Sequence, residues 1–302
     1  MADILGCMAM SHGPQLLTPS EKWPDLPTRV TAPFNPKPGI ELELTPEFMA
    51  ENSKRCDAAL ATLRHKLVEW SPDTIIIVGD DQNENLKRDN MPPFTIFLSD
   101  EVDATLRYRY WGEKETDQMT RYQVDSSLAN VLIEELMTSG FDPSWSRETR
   151  YPAGLGHAFG RVLKFILPNS DIPIVPIMVN TYYPPAPKAR RCFEFGEALG
   201  KIISNSSEGK NIAVVASGGL SHTKIDEKLD EEFLTALKTN NRDYLCSMSS
   251  EILVSGTSEI LNWIVVAGVA GIKSTIVDYA PCYRNADGVG CAMGFAYWDK
   301  TS

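Results

Sequence analysis

The chain has 302 residues, enough for one large domain with a deep core, and its 40 acidic against 29 basic side chains leave a formal net charge of −11. That balance argues against a sequence-independent grip on phosphate backbones, which needs a surplus of lysine and arginine, so no nucleic-acid partner is expected. Six cysteines without a CxxC pair read as reduced thiols, not as a disulfide framework or a structural zinc site.

The opening residues Met1-Ala2-Asp3-Ile4-Leu5-Gly6 carry neither the basic leader nor the long apolar region of a secretory signal. The longest apolar stretch, 263–272, is interrupted by glycines and falls short of the roughly 20 residues that a bilayer span needs. A cytoplasmic protein with no membrane partner is therefore expected. In chain order, short apolar runs rich in β-branched residues at 4–8, 74–78, 94–98, 172–179, 212–216 and 275–279 predict strands. Helical spacing appears between them at Leu60, Leu63, Leu67 and Trp70, then at Leu128, Val131, Leu132 and Leu136, then at Phe195, Ala198, Leu199 and Ile202. Strands alternating with amphipathic helices predict a layered α/β sheet. Residues 18–46 hold seven of the twenty prolines and predict a long ordered loop, of the kind that often forms a lid or pocket wall. The charged run 226–232 reads as the solvated face of a helix.

Only four histidines are present. His65 lies between Leu63 and Leu67, turned away from the apolar stripe, and reads as solvated. His12, in Met10-Ser11-His12-Gly13-Pro14, follows the first strand directly. His222 follows the strand at 212–216 through Ser217-Gly218-Gly219-Leu220-Ser221, and ligands gather at such carboxyl ends of sheet strands. His157, in Gly154-Leu155-Gly156-His157, opens a helix, where the dipole favours the neutral imidazole. Each alone reads more readily as a hydrogen-bonded structural histidine than as a catalyst; three in glycine-rich turns shift that balance toward a site. The segment Gly79-Asp80-Asp81-Gln82-Asn83-Glu84 clusters oxygen ligands at the end of the second strand, with a solvated acidic loop as the alternative. In Gly256-Thr257-Ser258-Glu259, Thr257 or Ser258 is placed to cap an apolar helix with Glu259 in its first turn, and capping explains Glu259 as well as metal binding does. Histidine plus carboxylate with open coordination positions is the ligand set of non-haem iron(II).

These motifs resemble the class III extradiol ring-cleavage dioxygenases, the superfamily of the protocatechuate 4,5-dioxygenase catalytic subunit, and within it the 3-O-methylgallate dioxygenase-like branch. The resemblance runs through Ser11-His12-Gly13-Pro14-Gln15-Leu16, Gly79-Asp80-Asp81-Gln82, Asp89-Asn90-Met91-Pro92, Gly156-His157-Ala158-Phe159-Gly160, Asn180-Thr181-Tyr182-Tyr183-Pro184-Pro185, Ser217 to His222, Gly256 to Glu259 and Tyr279-Ala280-Pro281-Cys282-Tyr283-Arg284. Any one block is weak; their order and spacing make the match specific.

The resemblance implies a three-layer α/β/α sandwich around a mixed central sheet, formed as a single domain over 1–302. It implies extradiol cleavage of a catechol-type aromatic acid, protocatechuate- or methylgallate-like, with dioxygen and Fe(2+), in a homo-oligomer. By motif, His12 and Glu259 fall at metal-ligand positions, His222 at the acid–base histidine and His157 in the substrate pocket. The second metal histidine of the better-known members falls at Gln82, whose amide oxygen is a weaker iron(II) ligand than imidazole. Glu84 is the alternative third ligand, and Asp81, His157 or water are further ones. Two other readings are a metal-dependent hydrolase on the same fold and a non-catalytic binding subunit with a degenerate metal site.

Overall fold

The computed structural model of the protein describes residues 3–27, 37–108, 114, 116–169, 171–206 and 209–300. Four strands form the middle of the sheet: β1 (Asp3–Met10), β2 (Thr74–Asp80), β7 (Ile174–Val179) and β8 (Asn211–Ser217). They run parallel in the order β1-β8-β2-β7. Helices cover both faces of such a sheet, which is why these strands read as unbroken apolar runs and not as alternating ones. Ile76 and Val78 face one core and Ile75 and Ile77 the other. The first core is closed by α2 (Ser126–Thr138), α4 (Ala189–Asn205), α5 (Glu227–Thr239), α6 (Arg242–Ser247) and α7 (Ile260–Ala270), the second by α1 (Pro46–Trp70) and α3 (His157–Ile166). The three layers expected of the sequence are present.

The sheet is mixed because its flanks are antiparallel. On one side β11 (Val289–Asp299) pairs β1 and is followed by β10 (Thr275–Tyr283), with the short β9 (His222–Lys224) also on β11. On the other, β3 (Phe94–Phe97) runs against β7, with β6 (Ser144–Ser146) at the edge. A separate hairpin joins β4 (Glu101–Thr105) to β5 (Met119–Gln123).

All six expected strands form, but among the described residues five others lie outside the expected set. β11 is the largest of them. Its Gly290 and Gly294 interrupt the apolar run, yet both are demanded by packing: a Cβ on Gly290 would lie 2.3 Å from the Cys282 carbonyl oxygen, and one on Gly294 2.8 Å from the Leu220 side chain. Helix α1 begins well before the expected stripe, where Thr45 accepts from the Phe48 N–H and Pro46 occupies the first turn. The 18–46 segment is not irregular throughout: 3-10 turns occupy Ser20–Asp25 and Ile40–Leu44, and Trp23 is buried with Nε1 donating to the Gln15 and Thr18 carbonyls. Residues 28–36 of that loop lie outside the described residues. The charged run 226–232 does sit at the start of α5, but Asp230 within it is buried. Among the described residues no helix is long and apolar enough to cross a membrane.

Asp125 ties this scaffold together. It accepts from the Leu128 N–H at the start of α2, from Thr74 Oγ1 at 2.6 Å and from Lys210 Nζ at 2.8 Å. Burial pushes its carboxyl up, but the Lys210 and Thr74 hydrogen bonds outweigh burial and hold it below the ordinary range. Its stabilising contribution is therefore complete above the unfolded-state pKa of about 3.9 and is lost as pH falls through the lower folded-state value. Asp125→Ala is expected to cost about 2–4 kcal/mol in urea denaturation at pH 7, a difference that shrinks below about pH 4.

Candidate metal centre

Because β1, β8 and β2 are parallel neighbours, their carboxyl ends lie side by side. The residues that follow them (His12 after β1, Asp80 to Gln82 at the end of β2, Ser217 to His222 across the end of β8) therefore meet in one place. Glu259 comes to the same point from the start of α7, a helix buried on every side between α4 and the sheet and apolar except for Asn262.

His12, Asp80 and Glu259 are all buried, and one ligand atom from each lies within 4.8 Å of the others. The tautomer of His12 follows from its partner. Ser217 Oγ has one proton, which it donates to the Ala158 carbonyl oxygen, so it can only accept from His12 Nδ1, 2.9 Å away. Nε2 is left with its lone pair toward Glu259 Oε2 at 3.7 Å. Burial pushes the His12 pKa down to about 3 against the pull of Glu259, so the ring is neutral and suited to coordinate a cation.

Asp80 is the residue that the sequence reading passed over as a ligand. Its Oδ1 accepts from Asn262 Nδ2 at 3.3 Å, while its Oδ2 is buried with no hydrogen-bond partner among the described residues. Burial, and next to it the Glu259 charge, pushes this carboxyl well above its ordinary value. Two buried carboxylates with an orphaned oxygen and a neutral imidazole lone pair between them fit a divalent metal, whose charge offsets what is otherwise an unfavourable pair.

Gln82 is placed differently from the expected ligand. Its Nε2 donates to Glu259 Oε1 at 3.0 Å and to the Tyr182 hydroxyl at 3.2 Å, and the Tyr182 hydroxyl donates to the same Glu259 oxygen at 2.6 Å. The Gly219 N–H donates to the other oxygen at 2.8 Å. Burial alone would raise the Glu259 pKa, but His222, His12 and these donors outweigh it and hold the carboxyl far below its ordinary value. Glu84, the alternative ligand, instead takes His157 Nδ1 at 3.0 Å, which leaves Nδ1 of that ring as a donor. Gly156 makes room for the pair, since a Cβ there would lie 1.5 Å from Glu84 Oε2. Asp81 is used by the backbone: it accepts from the N–H groups of Glu84, Asn85 and Leu86 and shapes the loop.

His222 Nδ1 is 2.9 Å from the Leu220 carbonyl oxygen, which can only accept, so Nδ1 carries a proton and Nε2 faces Glu259 Oε1 at 3.3 Å. Burial works to strip this ring of its second proton, but the Glu259 carboxylate wins and holds the pKa up to about 10. The turn that carries His222 is anchored twice: Asp230 accepts from Ser221 N–H and Oγ, and Thr257 Oγ1 exchanges hydrogen bonds with the His222 N–H and carbonyl. Thr257 and Ser258 thus do not cap α7 as expected. Ser255–Glu259 is a 3-10 turn that runs into the helix without a side-chain cap. Gly256 lies flat against the imidazole, and a Cβ there would fall 1.9 Å from His222 Cδ2. Gly256→Ala is accordingly expected to push the ring away from Glu259 and bring the His222 pKa down from about 10 toward the ordinary histidine range, measured by NMR titration of the imidazole.

These groups open on a cavity of about 290 Å³ whose wall includes His12, His157, His222, Glu259, Tyr182 and Arg284, with Pro27 of the proline-rich segment at its rim. His12 and His157 meet edge to face at 5.2 Å, and the Tyr108 ring lies 4.2 Å from His157. His65 is exposed, as expected.

A family model described as the catalytic LigB subunit of aromatic ring-opening dioxygenase matches residues 6–290. Among curated proteins, the chain is 29% identical over 167 residues to a 2,3-dihydroxyphenylpropionate/2,3-dihydroxicinnamic acid 1,2-dioxygenase of Rhodococcus jostii, 55% of this chain and 48% of that protein. It is 30% identical over 157 residues to a gallate dioxygenase of Pseudomonas putida, 47% of this chain and 45% of that protein. The chain spans about half the length of the curated relatives it matches. The crystal structure of an uncharacterized protein from Escherichia coli K12 covers 97% of this chain and 99% of its own at 17% identity, with a TM-score of 0.56, a likeness of fold.

Proposed function

This chain belongs to the family of catalytic LigB subunits of aromatic ring-opening dioxygenases, and from that premise we propose that it is an iron(II)-dependent extradiol dioxygenase acting, as one catalytic domain, on a catechol-type aromatic acid. The observation that carries the reading is the convergence of His12, Asp80 and Glu259 beneath a cavity that His222 also faces. One imidazole and two carboxylates are borderline and hard donors of the kind that iron(II) takes. When bound, the metal supplies Lewis acidity to the diol and the redox chemistry for dioxygen. Both oxygen atoms end in the ring-opened product, so no external reductant is needed.

The rest falls to the chain. His12 presents Nε2 because Ser217 holds its other nitrogen. Tyr182, Gln82 and Gly219 hold Glu259 in place from three directions, the outer support on which metal affinity depends. With Nδ1 committed to the Leu220 carbonyl, His222 has Nε2 with which to take a proton from a substrate hydroxyl and return it later. Neutralising the Glu259 charge removes the main cause of the raised His222 pKa and brings the ring toward the range where it exchanges protons near neutral pH. His157, its Nδ1 engaged by Glu84, stands on the substrate side. A cavity of about 290 Å³ suits one substituted ring.

The test is anaerobic reloading with iron(II), then oxygen uptake over a panel of catechols with the ring-opened product followed by absorbance. One oxygen consumed per ring opened beside the diol is the expected result. Stoichiometric iron with no uptake on any catechol would sink the proposal.

A further inference from the structure

Arg284 stands at the end of β10, its backbone N–H donating to the Val289 carbonyl at 2.8 Å. Its side chain is only 6% exposed and forms part of the wall of the same cavity as His12, His222 and Glu259. One nitrogen, Nη1, donates to the Leu26 and Pro27 carbonyls at 3.2 and 3.1 Å. Among the described residues Nε is buried with no partner and the guanidinium forms no ion pair. In a chain of net charge −11, where acids outnumber bases, a buried arginine without an acid is out of keeping. Burying a guanidinium is costly unless an anion meets it, and the desolvation that pushes its pKa below the ordinary value is that same cost. Arg161, the other guanidinium of the cavity wall, is instead committed to backbone, with Nε on the Leu106 carbonyl and Nη1 on the His12 carbonyl.

We infer that Arg284 is the specificity-determining residue that reads the carboxylate of an anionic aromatic substrate, with the Leu26 and Pro27 carbonyls holding its fork in the cavity wall. The inference rests on the ring-cleavage reading for the diol end of the ligand and adds the opposite end. Nη2, which makes no hydrogen bond among the described residues and is not sealed off as Nε is, fits a carboxylate oxygen, and a desolvated charge-assisted pair there discriminates strongly against a neutral analogue. Holding the arginine through the 18–46 segment also gives that segment a part in substrate choice.

The test compares 3,4-dihydroxybenzoate with its methyl ester, two rings with the same diol, one anionic and one neutral. Binding to the anaerobic iron-reloaded protein is measured by calorimetry for wild type, Arg284→Met and Arg284→Lys. The wild type is expected to prefer the acid by about 10- to 100-fold. Arg284→Met should erase that ratio by weakening the acid alone, and Arg284→Lys should keep part of it, because it retains the charge and loses the fork. A merely structural arginine would weaken acid and ester together, so an unchanged ratio in folded Arg284→Met or Arg284→Lys overturns the inference. So does a wild type that binds acid and ester equally, whether or not it opens the ring. Conversely, acid selectivity lost in Arg284→Met by a protein that never consumes oxygen supports Arg284 as the carboxylate reader and overturns only the ring-cleavage reading. Binding of neither compound by the wild type overturns both.

Discussion

Asp80→Asn is expected to weaken iron(II) binding by more than about 100-fold and, at the same time, to raise the melting temperature of the metal-free protein. The first effect follows from the loss of one of two carboxylates in the trio; displacement of a merely supporting residue around a metal typically costs about 10- to 100-fold, and a ligand costs more. The second follows from the local electrostatics. Among the described residues Asp80 Oδ2 is buried without a partner, beside a second buried carboxylate at Glu259. Because burial and Glu259 push the Asp80 carboxyl well above its ordinary value, the metal-free fold carries the cost of either a second buried charge or a proton taken up on folding; a neutral amide carries neither and can donate to Glu259, worth on the order of 1 kcal/mol to the metal-free fold. Metal affinity is measured anaerobically against a competing chelator and stability by calorimetry in excess chelator. Gln82→Ala, which removes a donor to Glu259 and not a proposed ligand, should fall only in the 10- to 100-fold range. Wild-type affinity in Asp80→Asn together with a larger loss in Gln82→Ala would put Gln82 in the coordination and Asp80 outside it.

His222→Phe is expected to retain iron and catechol binding and to lose about 10²- to 10⁴-fold in turnover, the usual range for a general acid–base group. The replacement keeps a flat ring between Gly219 and Gly256, both of which would crowd the imidazole if they carried a Cβ. What disappears is, among the described residues, the only titratable nitrogen that faces Glu259 without belonging to the trio. Iron content and oxygen uptake measured on the same preparation separate the two roles: parallel loss of metal and rate would make His222 a ligand and transfer the proton chemistry elsewhere.

Much of this was legible in the one-dimensional order of residues. Uninterrupted β-branched runs reported the buried strands β1, β2, β7 and β8 because a strand covered on both faces has no polar side to show, and His12, Glu259 and His222 stood out because strand and helix ends leave a recognisable mark. The unread parts share a cause. β11 was masked by Gly290 and Gly294, whose need is set by Cys282 and Leu220, neighbours distant in sequence. Asp80, Asp81, Gln82 and Glu84 offer similar oxygen atoms within five residues, and nothing local tells them apart. Only the folded contacts sort them: Asp81 turned to its own backbone, Glu84 to His157, Gln82 to Glu259, and Asp80, with one oxygen unpartnered among the described residues, gathered with His12 and Glu259. Sequence by itself determined the family, the layered fold and which loops meet, since these depend on periodicity and motif order; the directions in which Asp80, Gln82 and Glu84 point were decided by partners brought from α3, α7 and the turn after β7, which no local pattern encodes.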